Sequence, residues 1–182
     1  MTDTLTFRHL VDRLVALGVL RAERVDATWQ AVAGWIQPDD LVDDDLPMRL
    51  VDLGVAVQAH AGDAEVEDHY RSIIEGTAAL SGGSVVVTDV ALDKGDRDDD
   101  YRLTFRVNGE PRSWYEDHRD PEYIDMMAVI EQIGSLAPGG DDPRVIYGVL
   151  SAETGEDDFF LLLTPGQAKA MHDEFGLDLE EM

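Results

Sequence analysis

Tyr101, Leu103, Phe105 and Val107 alternate strictly with polar residues and run straight into Asn108-Gly109. A period of two sends successive side chains to opposite faces, so this stretch reads as a strand with one buried face. Asn-Gly accepts positive φ at both central positions of a type I′ turn, whose twist matches two antiparallel strands. The chain must therefore double back, and Pro111 to Tyr115 is the return strand. The β-rich run from Ser84 to Leu92 adds a third strand and makes a meander.

Elsewhere the period is helical. Leu10, Val11, Leu14 and Val15 share one face, with Asp3 or Thr4 as cap and Gly18 as stop. Val25, Trp29, Val32 and Ile36 form a second helical stripe, which reads as core and closes at Pro38. Asp39 to Asp45 is an acidic linker. Asp45 with Pro47 starts a short helix to about Leu53, followed by a strand from Val55 to Gln58. Val66, Tyr70, Ile73, Thr77 and Leu80 mark the buried face of a helix over 63–80. Glu65, Glu67 and Asp68 lie in its first turns, where the helix dipole favours negative charge.

After the meander, Asp120-Pro121 opens a helix with Tyr123, Met126, Met127, Ile130 and Ile133 on its apolar face. Val145 to Leu150 and Phe159 to Leu163 are partner strands. Thr164-Pro-Gly-Gln167 is a capping box with proline at the first helical position. The tail from Asp178 is expected to fray. The expected fold is α+β: an antiparallel sheet of about five strands, β-β-β-α-β-β-α, with helices on one face. Residues 1–82 form a mainly helical region packed beside the α+β region of 83–182, in one compact unit.

Composition bounds the function. The 182 residues hold 39 acidic and 14 basic side chains, for a net charge of -25 and a pI near 4.2. Such a surface repels phosphate backbones and anionic lipid, so neither nucleic acid nor membrane is an expected partner. It attracts basic proteins and cations, and it also serves solubility. Asp outnumbers Glu 26 to 13, a bias that codon usage or salt adaptation explains as readily as binding does. With no cysteine, disulfides, thiolate chemistry and thiolate metal sites are excluded. No leader pattern and no long apolar run is present, so the expected location is the cytoplasm.

Catalytic motifs are missing. There is no G-x-S-x-G elbow, no phosphate-binding G-x-x-x-x-G-K-[ST] and no G-x-G-x-x-G. Asp96, Asp98 and Asp100 have the opening spacing of an EF-hand loop. Tyr101 then replaces the turn glycine and Val107 the closing glutamate, so no calcium site follows. His60 and His69 flank Asp63, Glu65 and Asp68, and His69 stands four residues after Glu65. This is the one region where a metal-dependent enzyme is conceivable, but the set is not H-E-x-x-H. Neither a cofactor nor a resident metal is expected.

The stretch Phe105-Arg-Val-Asn-Gly-Glu-Pro-Arg-Ser-Trp-Tyr through Asp125, with Phe159-Phe-Leu-Leu-Leu-Thr-Pro-Gly-Gln167, resembles the immunity proteins of bacterial polymorphic-toxin systems and uncharacterised actinobacterial relatives. The resemblance covers 83–176 and rests on structural motifs. It implies a non-enzymatic protein that binds and blocks a toxin, and it transfers no contact residue.

Two readings of function follow. In the first, acidic loops bind a basic protein through Asp96, Asp98, Asp99, Asp100, Glu156, Asp157 and Asp158, with Trp114 as an anchor if exposed. If the two hairpins share one sheet, their acidic loops meet at one end. In the second, the His60–His69 region holds a metal for catalysis. A structural or housekeeping protein, acidic only for solubility, stands behind both.

Overall fold

The computed structural model describes residues 5–42, 45–60, 66–94, 100–117, 124–149 and 157–182. In chain order its elements are α1 (Phe7–Ala16), a 3₁₀ turn (Ala22–Arg24), α2 (Val25–Val32), α3 (Leu46–Asp52), β1 (Ala56–His60), α4 (Val66–Ala79), β2 (Val87–Lys94), β3 (Asp100–Val107) and β4 (Glu110–Asp117). Then follow α5 (Met126–Gln132), a second 3₁₀ turn (Ile133–Leu136), β5 (Val145–Val149), β6 (Asp157–Leu163), α6 (Pro165–Phe175) and β7 (Leu179–Glu181).

The fold is α+β and its sheets are antiparallel, as expected, but there are two sheets rather than one of five strands. One is ordered β1-β6-β5-β7, the other β2-β3-β4. The first draws β1 from the helical half of the sequence. The expected covering of one face is also corrected. Phe159, Leu161 and Leu163 pack with Leu10, Leu14, Leu50 and Met171 from α1, α3 and α6. Phe160 and Leu162 point the other way, into Tyr70 and Ile74 of α4, Leu103 of β3 and Val129 of α5. This two-sided burial is why Phe159 to Leu163 is apolar at every position instead of alternating. Each such side chain contributes about 1.5–3 kcal/mol of transfer free energy.

Local chemistry sets the element ends. Thr6, not Asp3 or Thr4, caps α1, its hydroxyl accepting from His9 N at 3.3 Å. Asp45 caps α3 with Pro47 in the first turn. The Thr164–Gln167 capping box is complete, at 3.2 and 2.8 Å. Asn108 and Gly109 have φ of 51° and 85°, the positive pair a type I′ turn requires. Asp125 caps α5 at Ala128 N, so that helix begins later than Asp120-Pro121; residues 118–123 lie outside the described ones.

Two features were not anticipated. One extra residue enters β2 between Thr88 and Ala91, where Asp89 takes a φ of 58°. This bulge turns Val90 into the core, 6% exposed. The tail does not fray: Leu179, Glu180 and Glu181 pair with the edge of β5, and Met182 N donates to Ile146 O at 3.0 Å.

Candidate functional site

Helix α4 organises the acidic end of the molecule. Gly76 lies against Val57 of β1, so close that an added Cβ would stand 3.3 Å from the valine methyls. With His60 joined to Val66 through five residues, α4 must run antiparallel to β1. It runs antiparallel to β2 as well. Arg71 Nη2 donates to Val90 O at 3.1 Å, and Leu92 N donates to Glu67 Oε2 at 3.1 Å. Stepping from Val90 to Leu92 therefore steps back along α4 toward its N-terminus. The Arg71 guanidinium also pairs with both Glu67 and Asp68, which locks this turn.

The strand registers extend the convergence. His60 is the partner of Asp157, Lys94 of Tyr101, and Asp100 of Asp117. Asp125 N donates to the Tyr70 hydroxyl at 2.8 Å, which brings the start of α5 to the same end of α4. Thus the described residues flanking 61–65, 95–99, 118–123 and 150–156 gather around one end of the fold. In sequence, the stretches 61–71, 93–100, 116–125 and 150–158 hold 18 acidic and 4 basic side chains. Sequence reasoning picked out two of these stretches and tied their meeting to a shared sheet. The hairpins lie in different sheets, and α4 is what joins their ends.

The individual site residues divide as follows. Asp96, Asp98, Asp99 and Glu156 lie outside the described residues. Asp100 opens β3 and Asp157 opens β6. Asp158 is half-buried on β6 opposite Ala59. Trp114 is 4% exposed, and its ring meets Phe105 edge-on at 5.2 Å and 85°. It packs in the cluster that includes Ile124, Val129 and Ile133, so it is core and not a surface anchor. For the metal reading, Asp63 and Glu65 lie outside the described residues. His69 Nδ1 is buried without a hydrogen-bond partner. Among the described residues no group of three or more His, Asp or Glu side chains is placed to hold a metal ion.

No family model matches the chain, and no curated protein or solved structure matches it. Among the described residues no helix is long and apolar enough to cross a membrane.

Proposed function

We propose that this protein is a non-enzymatic binding protein that engages a basic protein through its acidic end, in the manner of an immunity-type inhibitor. The observation that carries the reading is that the described residues flanking four acid-rich stretches of the sequence meet around the N-terminus of α4, with Glu67 and Asp68 on the helix itself. Concentrated like charge raises the local potential and speeds encounter with a cationic partner. A toxin that grips phosphate needs a cationic surface, and carboxylates compete for it. Asp100 and Asp117 are direct cross-strand partners, and like charges at paired positions weaken a sheet.

The partner-binding residues are Asp96, Asp98, Asp99, Asp100, Glu156, Asp157 and Asp158, joined by Glu67 and Asp68. Trp114 drops out. The test is capture. Immobilised protein is exposed to its native cytoplasmic extract and to products of neighbouring genes. One basic protein retained in fixed ratio and released by salt supports the reading. Retention that persists unchanged when the acidic stretches are neutralised contradicts it.

A further inference from the structure

The opposite end of α4 carries contrary chemistry. A cavity of about 70 Å³ lies among the turns after α1, α3 and α4, lined by Gly18, Gly54 and Gly82 together with Arg21, Arg24 and Arg144. In a chain with 12 arginines against 39 acids, three guanidinium groups share one small cavity. The simplest role for arginines beside helix C-termini is to satisfy the last carbonyls. Backbone amides already do so here. Val19 N donates to Leu14 O and Gly18 N to Val15 O; Val55 N donates to Leu50 O and Gly54 N to Val51 O. These are Schellman closures of α1 and α3, with the glycines at φ of 70° and 68°.

The arginines are thus left over. Among the described residues the side chains of Arg21 and Arg24 make no hydrogen bond and no ion pair. Arg144 differs: its Nε and Nη2 hold Asp142 at 2.9 and 2.7 Å, and Nη2 also donates to Ser81 O at 3.1 Å. The Asp142 carboxylate also interacts electrostatically with Arg21, so a single carboxylate faces three guanidinium groups and the cluster keeps an excess of positive charge. Gly82 makes room for one of them. A Cβ there would stand 2.7 Å from Arg21 Nη2, and one at Gly54 would stand 3.9 Å from Arg24 Nη2.

We propose that this cavity is a binding site for a phosphate-type oxyanion, held by Arg21 and Arg24 beside the fixed Arg144–Asp142 pair. A phosphate carries roughly -1.5 to -2 charge at neutral pH and matches the two open guanidinium groups. The volume suits it, since one water needs about 10–15 Å³ and the cavity has room for a few waters or one tetrahedral anion. The site is independent of the acidic end. The 14 residues of α4 separate the two by about 20 Å, beyond a Debye length of roughly 8 Å at physiological salt.

The experiment is a titration of the full chain with inorganic phosphate at constant ionic strength, read from backbone amide resonances. Saturable shifts at Gly18, Gly54 and Gly82 are expected, with acetate binding more weakly. In Arg21→Gln/Arg24→Gln the affinity should fall about tenfold or more, the loss of at least one charged hydrogen bond. A phosphoserine peptide distinguishes the source: tighter binding than inorganic phosphate at the same amides marks a phosphorylated segment, and weaker binding marks the free ion. If the double variant does not fold, the wild-type titration decides alone. No saturable shift, or equal shifts in the folded variant, overturns the site and leaves the arginines as counter-charges to the helix ends.

Discussion

Leu92 donates its backbone N–H to the Glu67 carboxylate across 3.1 Å, and that bond fastens the first turn of α4 to the far half of β2. The same carboxylate pairs with Arg71, which reaches the Val90 carbonyl. Two elements from different parts of the chain are thereby held at the acidic end. Glu67→Ala should cost about 1–3 kcal/mol, because it leaves a strand N–H and a guanidinium short of a partner. Urea unfolding reads the loss as a lower midpoint with unchanged slope. An unaltered midpoint would show that the bond is dispensable.

Trp114 gives the clearest contrast between core and surface. Its burial against Phe105 means that Trp114→Ala opens a large cavity, and a loss of about 3–5 kcal/mol is expected. Chemical denaturation measures it. A change below about 1 kcal/mol, the range of surface substitutions, would contradict its place in the core.

Gly109 isolates a backbone effect. Nothing lies within 4 Å of where its Cβ would stand, so a substitution meets no clash, only the left-handed backbone at φ 85°. Gly109→Val should cost about 1 kcal/mol or more. Thermal unfolding checks it, and an unchanged midpoint would argue for a different turn.

Acid sensitivity follows from the Asp142 carboxyl. Its hydrogen bonds to Arg144 hold its pKa below the usual range. The unfolded chain therefore takes up this proton first as pH falls. The stability the pair supplies is fully present above the ordinary aspartate value near 3.9 and is lost as pH drops through the lower folded value. Asp142→Asn should lower the unfolding midpoint at pH 6, and its gap to the wild type should close on acidification below about pH 4. A gap that stays constant with pH would contradict this.

Local rules carried the sequence reading far. The Asn108-Gly109 turn, the Thr164 capping box, the Asp45-Pro47 start and the alternation in β3 are set by residues a few positions apart. Three things depended on contacts across the chain. The unbroken apolar run in β6 signals burial on two faces only once α4 is known to cover the second. β7 has a single apolar residue among three, and its pairing comes from the open edge of β5. The Arg21–Arg24–Arg144 cavity is assembled from turns more than a hundred residues apart, so no local pattern announces it. The acid-rich stretches were legible, but the direction of α4, which brings the described residues flanking them to one end, was not.

The central claim is that the acidic end steers a basic partner onto the protein. Its most direct test is the association rate of the captured partner at about 0.05 and 0.5 M salt, where the Debye length shrinks from roughly 14 to 4 Å. The rate is compared between the wild type and a variant carrying Asp96→Asn, Asp98→Asn, Asp99→Asn and Asp100→Asn. The account predicts slower association at low salt and a flatter salt dependence in the variant, with dissociation little changed. An unaltered rate and salt slope would contradict it and leave these aspartates as a solvated surface.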